Sequence, residues 1–120
     1  MIYLITGKAG AGKTHYSRAL ASELILEGEK VVVLDGDEFR EKNKNDDFSD
    51  EGRLRNLLGA AKVAAELENQ GFTVILAFIA PREDWRQEMR SLWKESEVIY
   101  IPGGTLWEGT TYEKPPKSKR

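Results

Sequence analysis

The sequence contains no cysteine, one histidine and no long apolar run, and its charges nearly balance. Without cysteine there is no disulfide framework and no thiol chemistry, which agrees with a cytoplasmic location. The apolar runs have the length of a β-strand and are too short to cross a membrane. The first begins at residue 2, so we expect no signal peptide. With 18 basic and 20 acidic side chains, the total charge predicts binding to neither nucleic acid nor an anionic membrane.

The length of 120 residues predicts one domain with a small core. We assign residues 1–112 to this domain and residues 113–120 to a flexible basic tail, which contains two adjacent prolines. The cations of the tail are too few to predict a nucleic-acid partner.

A phosphate-binding pattern, G-x-x-x-x-G-K-[ST], is matched at every defined position near the start of the chain. The matching residues, our candidate ATP-binding residues, are Gly7, Lys8, Ala9, Gly10, Ala11, Gly12, Lys13 and Thr14. The apolar run before them predicts a buried strand, and residues 16–26 after them have helical spacing. In such a strand–loop–helix unit, the amides of the loop and the N-terminus of the helix would face a bound anion. Lys13 can reach the β- and γ-phosphates, and the Thr14 hydroxyl can bind Mg²⁺.

Three later apolar runs predict further strands, at residues 31–34, 72–79 and 97–101. The first of these runs is rich in β-branched residues, so we expect a strand buried on both faces. Residues 39–50 are polar and predict a loop, or a short helix and a loop. Two segments have the apolar spacing of helices, at residues 52–70 and 83–94. The second carries one apolar stripe, consisting of Trp85, Met89, Leu92 and Trp93.

Strands and helices therefore alternate along the chain, which predicts a parallel sheet between helices. Together with the phosphate-binding pattern, this indicates the three-layer α/β/α fold of P-loop kinases, with about four strands. Ligands of such sheets bind beyond the carboxyl ends of the strands. Three segments that leave strand ends should converge there, at residues 7–14, 35–40 and 78–82.

Two carboxylates, Asp35 and Asp37, follow the predicted second strand and should lie beside the phosphate loop. Mg²⁺ binds one or two carboxylates together with water and phosphate oxygens. A kinase also needs a group that orients or deprotonates the acceptor hydroxyl. Either aspartate could serve either purpose. Our candidate catalytic residues are Lys13, Asp35 and Asp37, and our candidate metal ligands are Thr14 and Asp35.

Several segments, in the same order, resemble those of the adenylylsulfate kinases. Residues 34–40, LDGDEFR, are similar to L-D-G-D-x-x-R in that family, and residues 48–56, FSDEGRLRN, to F-S-x-x-x-R-x-x-N. Residues 77–81, AFIAP, are similar to A-F-I-S-P, and residues 109–113 are a faint echo of G-I-D-x-x-Y-E. The resemblance is continuous from residue 1 to about residue 95.

The resemblance implies transfer of the γ-phosphate of ATP, with Mg²⁺, to the 3′-hydroxyl of adenylylsulfate, and a homodimer is common in the family. By position it implies a set of acceptor-binding residues, Asp37, Arg40, Phe48, Arg53, Asn56 and Ile79. The aspartate would hold the hydroxyl or the metal. The two arginines and the asparagine would hold the phosphosulfate group, and the phenylalanine and the isoleucine would contact the adenine.

The sequence departs from the family pattern after the predicted fourth strand. There the family has a helix, a basic lid over ATP and a second aromatic residue for the substrate base. Here residues 102–109 alone fill this interval, and the basic residues of the lid have no counterparts. Two other functions therefore stay open. The chain could be a P-loop kinase for another nucleotide or nucleoside hydroxyl, or a lidless nucleotide-binding protein with little turnover.

Overall fold

The computed structural model describes residues 1–42, 49–106 and 110–116. Within them, a sheet of four parallel strands has the order β2-β3-β1-β4. The strands are β1 (Ile2–Thr6), β2 (Val31–Asp35), β3 (Thr73–Ala77) and β4 (Ser96–Tyr100). The helices are α1 (Lys13–Leu26), α2 (Gly36–Lys42), α3 (Asp50–Asn69) and α4 (Glu83–Arg90). Helices pack on both faces of the sheet, which confirms the predicted three-layer α/β/α fold.

The central strands β1 and β3 bury side chains on both faces, because successive residues of a strand point in opposite directions. Leu4 packs among residues of α3 and α4, whereas Ile5 packs against α1 through Ala21 and Leu24. This packing fixes the central strands and therefore the segments that leave their carboxyl ends.

The apolar stripe predicted for α4 is only partly correct. Trp85, Met89 and Trp93 are buried, as expected, but Leu92 is 42% exposed. The helix ends at Arg90, four residues before the predicted end, because the amides of Leu92 and Trp93 bond to carbonyls three positions back. This tighter turn rotates Leu92 away from the core. Trp93 stays inside and donates its indole N–H to the carbonyl of Ala61 at 2.9 Å.

The expectation that β2 is buried on both faces is wrong. Its residues are half-buried on average, and Val33 is 38% exposed. In the observed order β2 lies at the edge of the sheet, where the helices cover it incompletely. An apolar run predicts a strand but does not give its place in the sheet.

Three helices begin earlier than the sequence predicted, α3 by only two residues. The first, α1, starts at Lys13 instead of residue 16, and α2 starts at Gly36. The Asp35 carboxylate explains the second start, because its Oδ1 accepts from the amide of Asp37 at 3.0 Å and from that of Glu38 at 3.4 Å. These bonds satisfy amides of the first helical turn. Among the helices described, none is long and apolar enough to cross a membrane.

Candidate active site

A cavity of about 810 Å³ lies at the carboxyl ends of the strands. Its walls come from the segments after β1, β2 and β3, as the parallel arrangement predicted, and from the first turns of α3. This volume lies within the usual range for small-molecule sites, about 300–1,000 Å³.

The phosphate loop has the backbone that its glycines permit. Gly10 and Gly12 adopt left-handed φ values of 74° and 103°, and α1 begins at the next residue. The loop is closed by a bond from the amide of Ala11 to the carbonyl of Lys8 at 3.2 Å. The same carbonyl accepts from Lys13 Nζ at 2.8 Å, so the ammonium group is held against the loop. Burial lowers the pKa of Lys13 from 10.5, and the charges of the two site aspartates partly oppose this effect.

A turn after β4, residues 101–106, packs directly against the phosphate loop. The amide of Thr105 donates to the carbonyl of Ala9 at 2.9 Å. The approach is so close that a Cβ on Gly104 would lie 2.6 Å from this carbonyl, and a Cβ on Gly7 would lie 2.6 Å from the carbonyl of Ile101. The sequence analysis missed this contact. The only indication of this contact in the sequence was the Gly103-Gly104 pair.

Thr14 and Asp35, our candidate metal ligands, are in direct contact. Thr14 Oγ1 donates to Asp35 Oδ2 at 3.0 Å. Neighbouring ligands of an octahedral Mg²⁺ ion, each at about 2.0–2.1 Å, are about 2.9 Å apart, so the two oxygens fit. Asp35 Oδ1 caps α2, which fixes the orientation of the carboxylate. The described part of the chain contains no cluster of three His, Cys, Asp or Glu side chains that could hold a metal. A Mg²⁺ ion here would therefore depend on phosphate oxygens and water.

Most of the predicted acceptor residues line the same cavity as Lys13, namely Asp37, Arg40, Arg53, Asn56 and Ile79. The arginines are half-buried and Asp37 is exposed. The cavity therefore combines a loop suited to a triphosphate with guanidinium groups suited to a second anion. Phe48, the remaining candidate, lies outside the described residues.

Asn56 is the member of this set whose environment indicates a ligand most directly. Its side chain is 6% exposed, and its Oδ1 has no hydrogen-bond partner among the described residues. A buried acceptor without a donor costs roughly 1–3 kcal/mol, so such groups are usually satisfied. Because the side chain lines the cavity, a ligand N–H or O–H could satisfy it.

Gly36, between the two aspartates, permits a close approach of α2 to the segment after β3. A Cβ at this position would lie 3.2 Å from the ring of Phe78 and 3.3 Å from the carbonyl of Ala77. Phe78 is buried, and its ring meets that of Phe39 edge-on at 6.2 Å. The Asp-Gly-Asp pattern therefore allows both carboxylates to border the cavity while the chain between them packs on the core.

The sequence analysis missed Arg86 and assigned no role to Tyr112. Arg86 is completely buried behind the cavity wall and donates to the carbonyl of Ala80. One signal was available, since Arg86 stands between Trp85 and Met89 on the side of α4 that faces the core. A charged residue in such a place needs buried partners.

Comparison with known proteins gives consistent matches. The family model for adenylylsulphate kinase matches residues 1–103. The probable adenylyl-sulfate kinase of Bacillus subtilis (strain 168) is 41% identical over 103 residues, which are 83% of this chain and 52% of that protein. This chain thus spans about half the length of the curated relatives it matches.

Solved structures agree with this match. The Mycobacterium tuberculosis APS kinase CysC, in complex with AMPPNP and APS, has a TM-score of 0.79 at 26% identity over 84% of this chain and 61% of that chain. The hexameric APS kinase from Thiobacillus denitrificans has a TM-score of 0.81 at 30% identity over 97% of this chain and 23% of that chain. The similarity to the Thiobacillus denitrificans structure covers nearly all of this chain, so it extends past β4.

Proposed function

This chain belongs to the adenylylsulphate kinase family, and on that premise we propose that it transfers the γ-phosphate of ATP to the 3′-hydroxyl of adenylylsulfate. The observation that carries the proposal is the composition of one cavity. The cavity is lined by residues of the phosphate loop, by two arginines and by Asn56, whose buried Oδ1 has no hydrogen-bond partner among the described residues. The cavity therefore offers suitable contacts both to a donor nucleotide and to an anionic acceptor nucleotide.

The donor side would act mainly through position and charge. The loop amides and the N-terminus of α1 would bind the phosphate oxygens, and Lys13 would exchange its bond to the Lys8 carbonyl for the β- and γ-phosphates. Thr14 and Asp35 would hold Mg²⁺, which when bound would neutralise phosphate charge. Asp37, exposed at the cavity, would accept a hydrogen bond from the acceptor hydroxyl and orient it.

The acceptor side would recognise two chemically different parts of adenylylsulfate. The planar guanidinium groups of Arg40 and Arg53 suit the oxygens of the phosphosulfate group. Asn56 Oδ1 needs a donor, which an amino or hydroxyl group of the nucleotide can supply. Ile79 would contact the base, and Phe48 would stack on it.

A coupled ADP-release assay tests this function. We expect ADP to form only when ATP, Mg²⁺ and adenylylsulfate are all present. Adenosine 5′-monophosphate, which lacks the sulfate, should be a poor substitute because it forfeits contacts to the arginines. Release with another nucleoside or nucleotide, but not with adenylylsulfate, would instead identify a kinase for a different acceptor.

One observation favours a second candidate, nucleotide binding with little turnover. The turn of residues 101–106 contacts the phosphate loop directly, where the resemblance places a helix and a basic lid. Tight ATP binding by calorimetry without ADP release to any acceptor would support this candidate over the first.

We further propose that the protein acts in the cytoplasm, in sulfate assimilation, as an assembly of several copies. The absence of cysteine supports the location, and the named hexameric relative supports assembly. The homodimer remains a prediction. Light scattering coupled to size-exclusion chromatography would measure the number of subunits.

A further inference from the structure

The turn that follows β3, residues 78–81, contains a strained residue. We name it the acceptor turn, because its Ile79 is a candidate acceptor contact. Ala80 has a φ of 43°, in the left-handed region that residues with side chains rarely adopt. A conformation of this kind persists only where the surroundings hold it in place.

Arg86 holds the acceptor turn by a hydrogen bond to its backbone. Its guanidinium is completely buried and donates to the carbonyl of Ala80 at 2.5 Å. It also donates to Glu83 Oε1 at 2.9 Å and to the carbonyl of Glu113 at 2.6 Å. Three bonds in different directions need the planar fork of arginine, and they join α4, the acceptor turn and the segment of residues 110–116.

Tyr112 holds the same turn indirectly, through Thr6, the last residue of β1. Thr6 Oγ1 donates to the carbonyl of Ile79 and lies 2.8 Å from the hydroxyl of Tyr112. Because the Thr6 proton is committed to Ile79, the Tyr112 hydroxyl must be the donor to Thr6. Burial raises the pKa of Tyr112 above 10.0, so the hydroxyl keeps its proton at neutral pH.

The ring of Tyr112 is fixed in addition to its hydroxyl. It stacks on Tyr100 with the ring centroids 5.9 Å apart, and the Arg86 guanidinium lies 5.6 Å from its centroid. The next residue, Glu113, donates its amide to the carbonyl of Pro81 at 2.7 Å. The acceptor turn is therefore held at the carbonyls of Ile79, Ala80 and Pro81.

We propose that Arg86 and Tyr112 are positioning residues that hold the acceptor turn in the shape that binds the acceptor nucleotide. The inference rests on the proposed function for the identity of the acceptor. Neither side chain is among those that line the cavity, so each would act through Ile79 and its neighbours. Their removal should therefore affect acceptor binding more than ATP binding.

The test compares Tyr112→Phe and Arg86→Lys with Tyr3→Phe, a hydroxyl deletion on β1 outside the cavity. Tyr112→Phe keeps the ring stack and loses only the bond to Thr6. The loss of one such bond corresponds to an acceptor KM about 3- to 10-fold higher, with the ATP KM and kcat within about twofold of wild type. Arg86→Lys should raise the acceptor KM further, because one ammonium group cannot replace the fork.

Hydrogen exchange of the peptide containing residues 78–82 provides a readout that needs no activity. We expect faster exchange in Tyr112→Phe than in Tyr3→Phe, with little change in Tm. Unchanged exchange and unchanged acceptor KM would overturn the proposal, as would equal rises of both KM values together with a lower Tm. If wild type phosphorylates no adenylylsulfate, the proposed function fails, while the exchange comparison still decides whether Tyr112 holds the turn.

Discussion

Replacing Lys13 with methionine separates what this residue does for ATP from what it does for the fold. The substitution removes the ammonium group and keeps most of the length of the side chain. In the structure this ammonium donates to the carbonyl of Lys8 at 2.8 Å, within the closed phosphate loop. The carbonyl can be satisfied by the amide of Ala11, which already donates to it at 3.2 Å. We therefore expect the loop to survive the substitution.

The loss of ATP affinity follows from the contact that Lys13 would make. One charge-assisted hydrogen bond contributes about 1.5–3 kcal/mol, which corresponds to roughly 10- to 150-fold in Kd. Because the ammonium would reach the β- and γ-phosphates, adenosine 5′-monophosphate should lose much less affinity than ATP. The rate of phosphoryl transfer should fall by a larger factor than the affinity for ATP, because Lys13 would also stabilise the charge that develops on the phosphate oxygens in the transition state.

The same substitution should stabilise the fold, although it weakens ATP binding. Burial lowers the pKa of Lys13 in the folded protein below the 10.5 of the exposed side chain. The folded state therefore binds fewer protons between the two pKa values, and wild-type stability rises as pH increases through this window. Below it, the buried charge costs stability in full. Lys13→Met should raise Tm at pH 7 and abolish the rise at alkaline pH.

Calorimetry with ATP and with adenosine 5′-monophosphate, beside thermal unfolding at several pH values, measures both effects. Lys62→Met, on the exposed surface of α3, is the matched control. Equal ATP affinity in wild type and variant would refute the assignment of Lys13. A lower Tm at pH 7 would refute the argument that its burial is costly.

Three further substitutions test other parts of the site. Asp35→Asn retains an oxygen that can cap α2 but loses the charge, so ATP affinity measured by calorimetry should no longer increase when Mg²⁺ is added; an undiminished increase would contradict the metal assignment. Gly103 and Gly104 both have left-handed φ values, 90° and 79°, so alanine at either position should cost about 1–2 kcal/mol of backbone strain, and Gly104→Ala should lose further stability because its Cβ clashes with the Ala9 carbonyl. Only the Gly104 variant places a Cβ against the phosphate loop, so it alone should weaken ATP binding. Arg53→Ala should raise the acceptor KM about 10- to 100-fold and the ATP KM far less, whereas Arg18→Ala on exposed α1 should change neither.

The parts of the site that depend on consecutive residues could be predicted from the sequence. The phosphate loop is one such part, because its glycines, lysine and threonine act within one strand–turn–helix unit. The convergence of three segments was also predictable, since parallel strands bring their carboxyl ends to one edge. Trp85 and Met89 were correctly placed in the core because helical spacing is a local property.

Features that depend on the order of the strands could not be predicted. The exposure of Val33 follows from the edge position of β2, which no local pattern records. The burial of Arg86 had a local signal, but its partners, the carbonyls of residues 80 and 113, depend on tertiary contacts that no local pattern records. For Leu92 the spacing was correct, but the helix ended before it. The apolar spacing of the sequence continues through Leu92, although the helical backbone hydrogen bonds do not.

The two segments after β4 bond to different parts of the candidate site. Residues 101–106 contact the phosphate loop through the Ala9 carbonyl, whereas Tyr112 and Glu113 contact the acceptor turn through Thr6 and Pro81. The resemblance to the family weakens along this stretch, yet both segments pack against the most recognisable parts of the site. A short connection can therefore still shape both halves of the cavity, because the carboxyl ends of β1, β3 and β4 lie side by side. It follows that changes in the first segment should act on ATP and changes in the second on the acceptor.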